Sequence, residues 1–542
     1  MEFVEQLEEF DGSGGYGQSW NASGSAINFV TRQYNTLRPV TKIRFVQAPY
    51  NHLLTDGLFT QNLLRGLNFV FGFQRQVSDG RFNGVTQKNS LSTPAGATVD
   101  NWNVRTRLRY NVSDRLNFAL TDFYTKDING LNGGIDLPPT TDITNNAVAY
   151  VNSPNALETV ARRDVSLLGI GKLTDDSTTI TQVNAYYTHL ERQFTNPGTV
   201  TDLLSISDFH RAEVRGLRLQ QSFRSPFHTT EVGMMTEHSQ YSTTGFLDSA
   251  QINNAPNRSD RTIYSAFLAT ALRPTDFATI DASGRFDKYG NESGLSYGAK
   301  ASLLALPFIR VVGELGQSLR FPTYQESSWV DSTILRPAAI QKEQHTFLRG
   351  GFDLLFREDN ILSVSGFDRT VDDAILFQPT TTQNGSKAIR VLNVSQVHTR
   401  GLAGSLNLHY GPLAFLGTAL YQNYTESDTT KDLAPNLILT GELSYRDKFF
   451  NDALDAKVGV RSQFMNRQRG MTFNPRLMLY EENTGTNVGL WTRLDAFAVL
   501  KIGDAYISLS YENLLNADYI ITPVYPMPER TFRLGVNWAF LD

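Results

Sequence analysis

The segment NWNVRTRLRYNVSDRLNFALTDFYTK, residues 101–126, alternates between apolar and polar side chains along its length. One face carries Trp102, Val104, Thr106, Leu108 and Tyr110, and the other carries Asn103, Arg105, Arg107, Arg109 and Asn111. Residues 111–115, NVSDR, have the composition of a turn, after which Leu116, Phe118 and Leu120 resume the apolar face. A period of two predicts extended strands with one apolar and one wet side.

The same alternation recurs in GLSYGAKASLL at 294–304 and in YISLSYEN at 506–513. Short connections that are rich in turn-forming residues lie at 64–68, 111–115, 173–177, 224–227, 273–276, 306–307, 357–360, 410–413, 446–452 and 502–505. Long polar connections lie at 78–100, 127–160, 191–208, 319–341, 375–388 and 467–489. Tight turns alternating with long loops are typical of outer-membrane barrels, and the strands counted from residue 41 number about 22.

The composition agrees with a membrane barrel. Charged residues make up 19% of the 542 residues, below the roughly 25% of soluble domains. The most apolar stretch, LLALPFIRVV at 303–312, contains Pro307 and Arg310, so no run reaches the ~18 residues of a spanning helix. A soluble propeller would show a repeat of roughly 40–50 residues, which the sequence lacks. We therefore predict an all-β fold, a transmembrane antiparallel β-barrel in the bacterial outer membrane.

Four stretches in chain order resemble the TonB-dependent outer-membrane receptors. Residues 5–32, EQLEEFDGSGGYGQSWNASGSAINFVTR, are similar to the closing part of that family's plug domain. GQSLRFPTYQE at 316–326 and VLNVSQVHTRGLAGSLN at 391–407 are similar to its central strand motifs, although Ala403 stands where Glu is usual. The C-terminal stretch at 511–540 resembles its last strands, and YPMPER at 525–530 is similar to the vitamin B12 receptor branch.

The resemblance implies two domains. Residues 1–40 would be the C-terminal remnant of a plug domain, and residues 41–542 would be the transmembrane barrel. The energy-coupling box and most of a plug have no counterpart in this sequence, so the plug is truncated here, supplied by a separate chain, or absent. The implied function is outer-membrane transport of a large, scarce solute of the corrinoid or iron-chelate class. A plugless passive channel and a scaffold barrel that anchors other envelope proteins are the alternatives.

The candidate functional residues fall into three groups. The aromatic loop residues Tyr150, Tyr324, Trp329 and Tyr525 could stack on a large solute or anchor at the lipid interface. The lumen-facing arginines Arg105, Arg107 and Arg109 could pair with plug carboxylates, line an anion path or be solvated. Gly535, Trp538 and Phe540 resemble the terminal assembly signal of outer-membrane barrels, whose partners would be the membrane lipid and the barrel-assembly machinery.

The sequence offers no support for catalysis. GSGGYG at 12–17 matches a dinucleotide-binding fingerprint, but no helical pattern follows it. The eight His show no metal-ligand spacing, and no nucleophile elbow is present. A net charge of −5 without a basic face argues against nucleic acid as a partner. We predict a protein that is not an enzyme and that uses neither metal nor cofactor.

Overall fold

The computed structural model describes most of the chain. The described residues are 3–11, 21, 25–36, 38–81, 98–135, 151–153, 155–173, 178–196, 206–247, 257–328, 334–335, 339–357, 360–381, 387–427, 429–483, 485 and 487–541. Across these ranges we find no helix with the length and apolar composition to cross a bilayer. The α-helix found there, α1, is the four-residue turn Tyr324–Ser327.

The strands of the first half are β1 Val4–Asp11, β2 Ser25–Thr31, β3 Val40–Ala48, β4 His52–Leu64, β5 Leu67–Ser78, β6 Val99–Ser113, β7 Leu116–Gly130, β8 Leu157–Lys172, β9 Thr179–Asn196, β10 Ile206–Arg224, β11 His228–Leu247, β12 Asn257–Thr275, β13 Ala278–Tyr289, β14 Glu292–Leu306 and β15 Ile309–Arg320. Those of the second half are β16 Ile334–Leu335, β17 Glu343–Arg357, β18 Asn360–Thr381, β19 Lys387–Tyr410, β20 Leu413–Glu426, β21 Thr429–Thr430, β22 Leu437–Phe449, β23 Leu454–Met465, β24 Met471–Asn474, β25 Leu479–Glu482, β26 Trp491–Ile502, β27 Ala505–Glu512, β28 Ile520–Thr522, β29 Tyr525–Pro526 and β30 Thr531–Leu541.

Twenty-two long strands within the described ranges form one closed antiparallel barrel, which confirms the predicted fold class. The last strand, β30, closes the wall by pairing with the first, β3, and Ile43 lies opposite Trp538. Closure satisfies the backbone donors and acceptors of both edges, which an open sheet in lipid would leave without partners. Three two-stranded sheets stand apart from the wall: β1–β2, β24–β25 and β28–β29.

The two faces of the wall differ as the period of two predicts. On β12, Ile263, Ser265 and Phe267 are buried on the lumen side. Tyr264 and Leu268, which alternate with them, are 58% and 48% exposed on the outer side. A continuous exterior of such apolar side chains is stable in lipid and not in water, so the barrel lies in the outer membrane.

The connections divide between the two ends of the barrel. The predicted short connections that the structure describes lie at one end, where the chain turns between paired strands such as β6 and β7. By the usual arrangement this is the periplasmic end, and the long loops are extracellular. One expected long loop, 375–388, is mostly strand, because β18 extends to Thr381 and β19 begins at Lys387. These are the longest strands described, with 22 and 24 residues.

Candidate functional site

The N-terminal segment lies inside the barrel. Phe3 is 3% exposed and packs against the lumen-facing Leu58 and Val70 of the wall. Its ring meets that of Phe123 edge-on, with centroids 5.7 Å apart. At the same open end of the β1–β2 hairpin, the backbone N–H of Arg32 donates to the carbonyl of Phe3 at 2.8 Å. The hairpin is therefore held against strands β4 to β7.

The three arginines predicted to face the lumen lie under this segment. Arg105 forms a buried ion pair with Asp56 of the wall, and its guanidinium carbon is 5.2 Å from the centre of the Phe3 ring. Arg107 donates to the Thr31 hydroxyl at 2.8 Å and to the carbonyl of Arg32 at 3.3 Å. Arg109 donates to the Gln33 side chain at 2.6 Å. Each arginine thus contacts a different part of the N-terminal segment, and the contacts are to neutral groups.

A second tether joins the segment to the extracellular rim. The side-chain amide of Asn21 donates to the carbonyl of Phe321 at 3.1 Å, and its oxygen accepts from the Phe321 N–H. The Asn21 side chain thus bonds both backbone polar groups of Phe321, as a paired β-strand would. The sequence does not predict this contact, because the two residues are 300 positions apart.

The β1–β2 hairpin has an uncovered apolar face. Leu7 and Phe29 are cross-strand neighbours, and they are 52% and 56% exposed; Ile27 beside them is 57% exposed. A two-stranded sheet is marginally stable alone and normally buries such a face against further structure. The hairpin therefore has the character of a piece of a larger folded unit.

Away from the hairpin, the lumen wall holds an open recess of about 720 Å³. Its floor includes a row of hydroxyl side chains on adjacent strands: Ser363, Ser405, Thr418 and Thr440. Glu442 at its edge accepts from Lys457 at 2.7 Å and from Arg461 at 2.6 Å. The size falls within the usual range for small-molecule sites, and the charges around it are already paired.

The extracellular mouth is covered by the two short hairpins. The β24–β25 and β28–β29 hairpins meet where the Phe473 ring lies 5.4 Å from Tyr480 and 6.2 Å from Tyr525. The buried Tyr525 hydroxyl has no hydrogen-bond partner among the described residues, and burial raises the pKa of Tyr525 to about 12. Val524 beside it accepts from the Ile135 N–H at 2.8 Å, which links the hairpin to the loop after β7.

The other aromatic candidates have different positions. Tyr324 begins α1, is buried, and stacks on Tyr241 with ring centres 5.3 Å apart. Arg261 fixes this helix by donating to the carbonyl of Pro322 at 2.7 Å. Tyr150 and Trp329 lie outside the described residues. The structure therefore brings neither Tyr324 nor Tyr525 into an exposed ring around the barrel.

The predicted assembly residues lie on the closing strand β30. Gly535 pairs with Val46 across the seam, and Trp538 pairs with Ile43. The rings of Trp538 and Phe540 are 4.4 Å apart, and Trp538 is 48% exposed on the outer side. Elsewhere among the described residues, no three His, Cys, Asp or Glu side chains are arranged to hold a metal ion.

The fold and its contents define a 22-stranded outer-membrane barrel with polypeptide in its lumen and across its mouth. Residues 369–542 match the model of a family described as putative porins. No curated protein matches the sequence.

Several solved structures share the fold at low sequence identity. A copper transporter, OprC, has a TM-score of 0.79 at 14% identity over 99% of this chain and 86% of its own. The outer-membrane ferripyoverdine receptor of Pseudomonas aeruginosa has a TM-score of 0.78 at 11% identity over 99% and 76%. The siderophore receptor PirA from Acinetobacter baumannii has a TM-score of 0.73 at 14% identity over 99% and 85%.

Proposed function

We propose that this protein takes up a large, scarce solute through the outer membrane as a gated receptor of the TonB-dependent type. Residues 1–40 are the last part of its plug domain, and residues 41–542 are its barrel. The observation that carries the proposal is the β1–β2 hairpin inside the lumen, anchored by Arg107 and Arg109. An obstruction tethered inside the lumen favours a gated receptor over an open pore.

The uncovered face of the hairpin supports the rest of the plug assignment. Leu7, Ile27 and Phe29 would pack against further plug polypeptide, either in the same chain or in a separate one. In this arrangement Arg105, Arg107 and Arg109 position the plug. Their partners on the segment are an aromatic ring, a hydroxyl, a carbonyl and an amide, none of which is an anion.

We assign the solute to the corrinoid or iron-chelate class, with a vitamin B12 receptor-like branch suggested by YPMPER at 525–530. Receptors and transporters of iron chelates and copper share the fold. Tyr525 and Tyr480 offer an aromatic surface beneath the mouth that suits a macrocycle or chelate. Tyr150 and Trp329 stay candidates for the same surface, and Tyr324 supports the rim.

We further propose that Gly535, Trp538 and Phe540 form the signal read by the barrel-assembly machinery. Their place on the closing strand supports this role, since β30 must be delivered to β3 before the wall can close. The contact between the rings of Trp538 and Phe540 on this strand gives it an apolar outer surface.

The experiment that tests the uptake proposal measures current through single barrels in planar bilayers. The full chain should give little steady current, because the hairpin and the mouth hairpins obstruct the lumen. A variant that lacks residues 3–36 should give larger and longer openings. The Arg109→Gln variant is a milder change, because it should weaken only one anchor of the segment, and it should give brief openings.

A plugless passive channel is the second candidate, favoured by the match of residues 369–542 to a putative porin family. A large steady current through the unaltered chain, unchanged by removal of residues 3–36, would establish that channel and overturn the uptake proposal. Binding of labelled cobalamin or ferric chelates to the purified barrel separates uptake from a scaffold role, because a scaffold would bind neither solute.

A further inference from the structure

The β24–β25 hairpin, residues 471–482, crosses the barrel mouth from one wall to the opposite one. We call it the mouth strap. It leaves the wall between β23 and β26 and its tip reaches β10. Along the described wall, β10 is the eleventh strand from β23 in either direction. The strap therefore lies over the opening through which a solute would pass, with its tip bonded to the strand farthest from its base.

The tip of the strap is fixed by a buried ion pair. Arg476 donates to both carboxylate oxygens of Asp208, at 2.5 and 3.0 Å. The side chains are 11% and 1% exposed. Beside this pair, Arg192 donates to the carbonyl of Pro475 at 3.1 Å while it holds Glu158 at 2.5 Å. A bidentate contact of this kind is directional and strong while it is dry, and water weakens it sharply.

Next to the tip, one apolar side chain packs the strap against the rim. Leu477 is 3% exposed and packs among Ile334, Ile375, Ile389 and Val391. Its carbonyl accepts from the Gln325 side chain of α1 at 3.1 Å. The Gln325 contact joins the strap to α1, the helix at the rim that follows Phe321. Phe321 is the residue that is hydrogen-bonded to Asn21 of the N-terminal segment.

The base of the strap has the features of a hinge. Gln468 and Val488 exchange backbone hydrogen bonds and hold the two legs together. Gly470, at the start of the strap, has a φ of +75°, which a residue with a side chain rarely adopts. Asn483 fixes the other leg by donating to the carbonyl of Arg469 at 2.7 Å. The legs are joined to each other, and the backbone N–H groups of Arg469 and Gly470 both donate to the carbonyl of Asp432, which fixes the base of the strap.

We propose that the mouth strap is a lid, hinged at Gly470 and latched by Arg476 on Asp208, and that the N-terminal segment holds it shut through α1. The inference rests on the proposed function, because only a transporter requires this mouth to open. Displacement of the N-terminal segment would release Phe321 and α1, and with them the Gln325 contact to Leu477. The strap would then be held by the Arg476–Asp208 latch, by the Arg192 contact to Pro475 and by the packing of Leu477.

Hydrogen–deuterium exchange on the full chain in detergent tests the latch. Asp208→Asn and Arg476→Gln should each speed exchange of the amides in 471–482 by at least about tenfold, because each removes the buried ion pair between the two residues. The double variant Asp208→Arg with Arg476→Asp restores the pair with its charges exchanged. It should bring exchange back to within about threefold of the unaltered chain.

Two further variants complete the test. Asp122→Asn removes the carboxylate of an exposed ion pair on the outer wall and should leave exchange of the strap unchanged. Asn21→Ala should speed exchange in the strap and in 321–328 together, because it cuts the link to the N-terminal segment. Unchanged strap exchange in Asp208→Asn would overturn the latch, and unchanged strap exchange in Asn21→Ala would overturn the link. Neither measurement uses a solute, so failure of solute binding would count against uptake alone.

Discussion

At the scale of single residues, the ion pair of Arg105 and Asp56 shows that a charged side chain buried in the lumen wall needs a partner of opposite charge. Asp56 is 1% exposed on its side chain and Arg105 is 9% exposed. Charges so far from water are stable only with a close partner. The position of Arg105 on the wet face follows from alternation in the sequence. Its partner does not, since Asp56 lies 49 residues earlier and meets it only when β4, β5 and β6 pair.

We expect Asp56→Asn to lower the free energy of unfolding by about 3–5 kcal/mol, because it leaves the buried guanidinium of Arg105 without a counter-charge. Urea titration of the barrel in lipid vesicles, followed by tryptophan fluorescence, measures the loss.

The matched control for that variant is Asp100→Asn. Asp100 pairs with Arg75 on the outer wall, where the two side chains are 39% and 46% exposed. Exposed ion pairs contribute about 0–1 kcal/mol, so this change should be nearly neutral. Equal losses in the two variants would show that burial does not govern the lumen pair.

At the scale of elements, each strand is specified by its two faces. The exterior of β12 presents Tyr264, Leu268 and Leu272 to lipid, while Ile263 and Phe267 lie inside. Strand pairing then follows from the turns, since the short periplasmic connections fix which strands are neighbours. Alternation and turn composition together account for the strand count and the position of nearly every turn.

Leu268→Arg places a charge at the middle of the exterior positions of β12. It should reduce the free energy of unfolding in lipid by about 2–4 kcal/mol, the cost of a cation near the bilayer midplane.

A matched control places the same charge on the other face. Thr418 lies in the hydroxyl row of the open recess, so Thr418→Arg should change the free energy of unfolding by less than about 1 kcal/mol. The same urea titration measures both variants. A larger loss for Thr418→Arg than for Leu268→Arg would reverse the assignment of lumen and lipid faces.

Elements outside the wall are the ones that sequence analysis does not reach. The stretch 467–489 has the polarity of a loop, yet it contains the paired strands β24 and β25. Their position depends on Arg476 meeting Asp208, 268 positions earlier in the chain. Such contacts are fixed by the curvature of the closed barrel, and curvature is not visible in a local pattern. The polarity of 375–388 likewise predicts a loop, whereas residues 375–381 and 387–388 lie in strands that extend beyond the membrane.

At the scale of the whole molecule, the barrel is a cylinder with an apolar exterior and a polar, partly filled interior. The N-terminal segment obstructs the lumen from within, and the two mouth hairpins obstruct it from outside. The two obstructions are joined through Phe321 and α1. A solute could pass through this barrel only if the N-terminal segment and the mouth hairpins moved.

The purified protein in detergent should give a far-ultraviolet circular dichroism spectrum dominated by β-structure. It should also migrate differently on SDS gels before and after boiling, because a closed barrel has no frayed edge from which to unfold. Without detergent it should aggregate through its apolar exterior. A mainly helical spectrum, or a monodisperse species in plain buffer, would contradict the fold itself.

The unequal height of the wall decides how far one flank of the barrel extends from the cell surface. A crossing needs only about 9–11 residues per strand, whereas β18 and β19 have 22 and 24. At about 3.3 Å per residue, β19 is roughly 80 Å long. One flank of the described wall therefore extends well beyond the lipid headgroups, where antibodies or bacteriophages arriving from the medium should be able to contact it.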